Sequence, residues 1–358
     1  MEFEFPAEMI GINHREEIAT MKAAVIIEPN KMSLEETPIP EIIDDRDVLV
    51  QVKAVGICGS DMHIYAGKNP FATYPRIWGH EYCGEVVGIG AGVTSLKPGD
   101  HVVAEPIEYC GKCYACRNGR PNVCQELRVR GVHIDGGCRE FIVMKEDHLY
   151  KVSKNIPWRC AVLTEPLTIG LQATSRARVK KGDYVLIMGS GTVGLTCLIA
   201  AKKKGAVCIM TDLFNEKLEY AKRFGADYTI NVREQDLTEA INAITSGMGP
   251  NVILDGVCNS KSLEESVDMV STAGRIVEMG FANITSAICH KTIMGKEVDV
   301  LGTRLQANKF PEAVSLMEEK AEQLSDFVTQ EFPLEKVEEA MEFAIHNGSV
   351  VRKVIVNI

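Results

Sequence analysis

Four cysteines crowd one short segment: Cys110, Cys113, Cys116 and Cys124, in CGKCYACRNGRPNVC. Four thiolates on one loop can close a tetrahedral shell with no open position, as structural zinc requires. An iron–sulfur centre also uses four thiolates, but no further cysteine cluster accompanies them. The intervening Lys112, Arg117, Asn118 and Arg120 are polar and make a poor apolar core. A second set is dispersed: Cys58 in GICGSDMH, His80 and Glu81 in GHEYCGE, and Glu165 in LTEP. Cysteine, histidine and carboxylate form a mixed shell of the kind that holds a catalytic zinc with one position left open. Taken singly, each has a plainer reading. A histidine beside glycine is often structural, and a free cysteine is often a small core hydrophobe.

A third motif is GSGTVG, residues 189–194, after the apolar run YVLIM and before LTCLIAAKKKG. Gly189 permits a tight turn, Gly191 lets backbone approach a pyrophosphate, and Gly194 allows close packing of helix on strand. Thr192 and Val193 complete the turn and join the candidate cofactor contacts. Asp212 ends the next strand candidate, VCIMTD, where a carboxylate accepts hydrogen bonds from an adenosine ribose. An acid there repels a 2′-phosphate, which favours NAD over NADP; the nearby Lys217 tempers that preference.

The elements that must position these residues change texture along the chain. Its 358 residues suggest two or three domains at roughly 100–200 residues each. Residues 1–20 read as an acidic extension, with five Glu, one Arg and no targeting pattern. From Met21 to about Ile142, short apolar runs alternate with Gly and Pro punctuation, the pattern of a barrel-like β domain. After Pro166, strand candidates alternate with helical stretches, which implies βαβ units and a doubly wound parallel sheet. From about Arg304, an acidic helix and a last strand, RKVIVNI, can return to the first domain. The uncharged run Tyr184–Ala201 just reaches the lower length limit for a membrane helix, but its glycines and hydroxyls suit a strand, turn and buried helix better. Formal charge is −10, which disfavours nucleic acid and anionic membrane as partners. Twelve cysteines spread over a long chain, four of them clustered, suggest metal binding in a reducing cytoplasm rather than a disulfide framework.

The order CGSDMH, GHE, four-cysteine lobe, TEP and GSGTVG resembles the zinc-dependent medium-chain dehydrogenases, from about Met21 to Ile358. The resemblance implies an α/β architecture: a GroES-like β-barrel-type catalytic domain (21–167 and 304–358) split around a Rossmann NAD-binding domain (168–303). It implies two zinc ions per chain, NAD as cofactor, an active site in the interdomain cleft, and a homodimer or homotetramer. Cys58, His80 and Glu81 match the catalytic zinc ligands, and Glu165 the acid that approaches or ligates the metal in polyol and threonine dehydrogenases. Ser60 and His63 match the proton-relay positions, although His63 could also be an exposed loop histidine. Liver-type alcohol dehydrogenases carry cysteine at the place of Glu165 and after the GH pair, so this chain departs from them. The segments GKNPFATYPRIWGHEYCGEVVGIG and RGVHIDGG look closest to L-galactonate or L-gulonate 5-dehydrogenases. The implied reaction is oxidation of a secondary hydroxyl of a hexonate, with sorbitol-type polyol, threonine or butanediol dehydrogenase as alternatives. A crystallin-like nucleotide-binding protein is the non-enzyme alternative. A sugar acid needs a cation for its carboxylate. Arg304, Lys291, His290 and Arg76 are the candidates, and each can also be a solvated surface group.

Overall fold

The computed structural model describes residues 19–280 and 283–358; the acidic extension lies outside these except for its last two residues. The first half of the chain is organised by the strand Asp47–Ile57. Its side chains alternate from Val48 to Ala54, with Val48, Val50, Val52 and Ala54 buried and the residues between them half-exposed. That period of two is what a pleated strand with one covered face demands. One edge pairs antiparallel with Glu81–Ile89, and the other pairs in turn with Phe141–Lys145 and Lys353–Asn357. The resulting sheet has seven strands. The last strand therefore does return to the first: Val354 stands opposite Ile57. Its parallel neighbour Val328–Pro333 is reached through the helix Val337–His346, the crossover that a parallel pair requires.

The second half is a six-stranded parallel sheet in the order Tyr228–Asn231, Val207–Asp212, Tyr184–Met188, Val252–Asp255, Arg275–Glu278, Asp299–Gly302. Helices cover both faces, so the central strands are apolar throughout; Val185, Leu186 and Ile187 are fully buried. The strand order reverses at Tyr184–Met188. A crevice opens there at the carboxyl ends of the strands, the place where such sheets bind ligands.

The helix Thr164–Arg176 joins the two halves. It opens with Thr164, Glu165 and Pro166, and proline is tolerated in a first turn because the amide it lacks would have no partner there. It packs closely on the helix Thr192–Lys203: a side chain at Gly170 would place its Cβ 2.3 Å from the Thr196 carbonyl carbon. One apolar cluster runs from Ala54 and Val103 of the first sheet through Leu167 and Leu171 to Val185 and Leu198 of the second. Replacing a buried leucine such as Leu171 by alanine in such a cluster costs about 2–5 kcal/mol. The cleft walls thus share a core. Among the described residues no helix is long and apolar enough to cross a membrane. The run Tyr184–Ala201 is divided among strand, glycine turn and helix.

Candidate active site

Cys58 sits in extended backbone just before the helix Gly59–Tyr65. Asp61, in the first turn of that helix, accepts the Cys58 amide proton at 2.9 Å and closes the turn. Its other oxygen lies 3.2 Å from His80 Nδ1. One buried carboxylate thereby bonds the loop that carries Cys58 and stands against the ring of His80, leaving Nε2 on the opposite side, 3.4 Å from Ser60 Oγ. This is the arrangement by which outer carboxylates orient metal-bound histidines. Glu81 follows His80 at the start of Glu81–Ile89, opposite Gly56. A side chain at Gly56 would bring its Cβ to 2.3 Å from Glu81 Oε2, so glycine makes the room.

Cys58, His80 and Glu81 each offer a ligand atom, all within 4.8 Å of one another. Glu165 lines the same cavity but stands outside this compact set. Charge explains what the set lacks. Asp61, Glu81 and Glu165 are all buried, and Lys353, equally buried, donates to both Glu81 oxygens at 2.8 and 2.6 Å. Burial opposes a charge on His80, but Asp61 and Cys58 outweigh it and draw its pKa well up. Burial, with Glu81 adding to it and His80 opposing it, pushes Glu165 up to about 7. A divalent cation among these donors would supply the missing positive charge, so the donor set fits zinc.

The four-cysteine lobe is equally compact. Cys113 Sγ lies 3.5 Å from Cys116 Sγ and 3.8 Å from Cys124 Sγ, and Cys124 Sγ lies 3.5 Å from Cys110 Sγ. These distances exclude disulfide bonds. They match a tetrahedron of sulfurs about 2.3 Å from a central zinc, whose edge is about 3.8 Å. Amides of Cys110 and Glu126 point at Cys124 Sγ, both at 3.3 Å. The amides of Cys116 and Gln125 hold the Cys113 thiol down to about 6.

In the glycine turn, Gly189 has φ +92°, and a Cβ at Gly194 would stand 1.8 Å from the Gly189 carbonyl oxygen. A Cβ at Gly191 would meet nothing within 4 Å, so open space lies against this backbone, as a pyrophosphate cradle requires. Asp212 ties the turn to the next strand by accepting the Ser190 amide at 2.9 Å, and it also accepts the amides of Leu213 and Phe214. Two carboxylate oxygens offer about four acceptor sites, which leaves capacity for a ribose. Thr192 donates its hydroxyl to the Arg352 carbonyl, pinning the helix start to the first domain. Thr192, Val193 and Lys217 line a cavity of about 470 Å³ together with Cys58, His80 and Glu165. Lys217 also lines the neighbouring cavity of about 640 Å³ that holds Asp212.

A further cleft, of about 460 Å³, shares Ser60, His80 and Leu305 with the glycine-turn cavity. Ser60 and His63 lie three residues apart on one face of their helix, both lining this cleft. Arg304 lines it too, its guanidinium 5.5 Å from the Phe71 ring, and burial lowers its pKa. Three expected cations are absent from the lining. Lys291 is exposed on the helix His290–Lys296, which precedes the outermost strand Asp299–Gly302 and faces solvent, and His290 beside it is exposed as well. Arg76 is spent on Asp135 at 2.9 Å. Lys68 and His133, which sequence reasoning passed over, line the cleft instead. Asp61 was also missed, although its spacing three residues after Cys58 carried a capping signal. Lys353 had only the weak signal of one charge in an apolar strand.

Residues 44–154 match the alcohol dehydrogenase GroES-like domain, and residues 192–319 match the zinc-binding dehydrogenase domain. Starvation-sensing protein RspB of Escherichia coli K12 is 38% identical over 90% of this chain and 94% of its own. A solved structure of the rspB short chain alcohol dehydrogenase of E. coli CFT073, complexed with NADH, is 36% identical with a TM-score of 0.89, covering 95% of this chain and 99% of that one. Sorbitol dehydrogenase of Bacillus subtilis is 34% identical over 94% of this chain and 97% of its own. L-galactonate-5-dehydrogenase of E. coli K12 is 29% identical over 94% and 99%. With both domain types matched in order along the chain, it belongs to the zinc-type medium-chain alcohol dehydrogenases, with polyol and sugar-acid dehydrogenases among its relatives.

Proposed function

We propose that the protein oxidises a secondary hydroxyl of a sugar acid of the L-galactonate or L-gulonate type, at C5, with NAD as acceptor. Residues 21–167 and 304–358 form the catalytic part and 168–303 the NAD-binding part. The observation that carries this reading is the shared wall of two cavities: Ser60 and His80 face the glycine turn on one side and a cleft containing Arg304 and Lys68 on the other. Cys58 and His80, with Glu81 or Glu165, would hold one zinc; Cys110, Cys113, Cys116 and Cys124 would hold another. When bound, the catalytic zinc lowers the pKa of the substrate hydroxyl, and NAD takes up the hydride. The NADH complex of the E. coli relative supports that choice of cofactor.

The chain's own groups do the rest. Ser60 Oγ receives the hydroxyl proton, and His63, exposed on the same helix face, delivers it to solvent. Val129 and Val132 line the cleft and exclude water from the reacting carbon. Arg304 takes the carboxylate, stacked on Phe71 and half-buried, where a charge-assisted hydrogen bond is strongest. The likeness to sorbitol dehydrogenase favours a neutral polyol as the second reading. The outer strand Asp299–Gly302 has an open edge and an exposed Val300, which supports assembly with a second copy; sedimentation would show a dimer or tetramer.

The test is NADH formation over aldonates, sorbitol, galactitol, threonine and butanediol, with wild type and Arg304→Met. The reading expects aldonates to be preferred. It also expects the variant to lose about 10–100-fold in kcat/KM on them, the worth of one hydrogen bond to a charged group, with the polyols nearly unaffected. Preference for neutral polyols would overturn the sugar-acid reading and leave the dehydrogenase in place.

A further inference from the structure

A separate cluster lies in the nucleotide-binding half. Asp255, Cys258 and Glu278 bring ligand atoms within 4.8 Å of one another. The two acids end adjacent parallel strands, Val252–Asp255 and Arg275–Glu278, and stand opposite each other in register. Asp255 is 0% exposed. Its Oδ1 accepts the amides of Val257 and Cys258 at 2.8 and 2.9 Å. Its Oδ2 is shielded from water and has no donor, and Glu278 Oε1 is in the same condition. No ion pair joins either acid to a lysine or arginine among the described residues.

Cys258 completes the cluster at a conformational cost. Its φ is +46°, in the left-handed region that costs a non-glycine residue about 1–3 kcal/mol. Its sulfur accepts the Gly280 amide at 2.8 Å and lies 3.0 Å from the Asp255 carbonyl oxygen. A side chain at Gly280 would place its Cβ 2.2 Å from Cys258 Cβ, so only glycine leaves this space to the cysteine. Burial and the charge of Asp255 push Glu278 up to about 7. Two carboxylates side by side, each with one shielded and unpartnered oxygen, are unfavourable as a pair of anions, and a proton or a cation must relieve them.

We propose that Asp255, Cys258 and Glu278 form a third divalent-cation site, separate from the two zinc sites above. One thiolate and two carboxylates suit zinc or cadmium, and the thiol proton, with the proton that relieves the acid pair in the absence of an ion, leaves to solvent as the ion binds. Three protein ligands leave a fourth position. Cys258 also lines the cleft that Ser60 and Arg304 line.

The experiment titrates zinc, and separately cadmium, into wild type, Glu278→Gln and Cys258→Ser as purified with their zinc. Calorimetry and metal analysis count the ions, and the cadmium–thiolate absorbance reports on sulfur ligation. The site predicts one more ion per chain in wild type than in either variant, weaker uptake as pH falls, and no added cadmium–thiolate band in Cys258→Ser. Equal uptake by wild type and both variants would overturn it. If a variant does not fold, the wild-type titration still decides, because uptake of no ion beyond those at the two zinc sites also overturns the site.

Discussion

Replacing Lys353 by methionine should destabilise the protein strongly, and more so without zinc than with it. The ammonium lies 2.6 and 2.8 Å from the two Glu81 oxygens and 3.0 Å from the Ile57 carbonyl, and Lys353 and Glu81 are 1% and 2% exposed. Methionine keeps the length and apolar volume but leaves Glu81 a buried, uncompensated anion. Breaking such a pair from one side costs about 3–5 kcal/mol, and the orphaned Ile57 carbonyl adds about 1 kcal/mol. At about 2–4 °C per kcal/mol for a unit of 150–250 residues, the midpoint of unfolding should fall by roughly 10 °C or more. A zinc ion beside Glu81 balances part of that charge, so the loss should shrink in the loaded protein. By reciprocity the variant should bind zinc more tightly by the same free energy that the metal restores to its stability. Unfolding of wild type and variant is followed calorimetrically with chelator and with zinc. A loss below about 1 kcal/mol in chelator would show that Glu81 is not a buried anion. An equal loss in both conditions would remove Glu81 from the metal's surroundings.

Chelation should abolish turnover before the parallel-sheet domain unfolds, because among the described residues neither zinc donor set includes a residue of that sheet; activity retained in fully stripped protein refutes the metal assignment. Asp212→Ser should weaken NAD binding about 10–100-fold, the value of hydrogen bonds to a charged acceptor, and shift relative use towards NADP. Kinetics with both cofactors check this, and an unchanged ratio counts against Asp212 as the ribose contact. The Ser95 hydroxyl and the amides of Ser95 and Thr94 hold Glu146 down to about 2, from an ordinary value near 4.5. Since the folded state favours the charged form, its stabilisation is present above pH 4.5 and disappears as pH falls towards 2. Glu146→Gln should therefore flatten the dependence of the unfolding midpoint on pH across that window, and a curve parallel to wild type would show that the three donors contribute nothing.

What could be read in the sequence follows from how far apart in the chain the cooperating groups lie. The glycine turn needs a strand, three glycines and a helix in succession, so its geometry is written locally, down to the left-handed Gly189 and the close approach at Gly194. The cysteine lobe closes within the one short stretch from Cys110 to Cys124, and its sulfurs assemble accordingly. Charge balance is different. Lys353 is 272 residues from Glu81 and reaches it only because Val354 pairs with Ile57 while Glu81 pairs with Gly56. No local pattern encodes that register. The substrate cations fail for a related reason: Arg304 and Lys291 are near in the chain, but an edge strand separates them, so one lines the cleft and the other meets solvent. Asp255 and Glu278 were invisible in the same way, since each ends an ordinary apolar strand and only parallel pairing sets them side by side. The donors of the two zinc sites are therefore carried by short motifs, whereas the charge that balances Glu81 belongs to strand pairing, and mutation of Lys353 should alter metal chemistry without touching any recognisable motif.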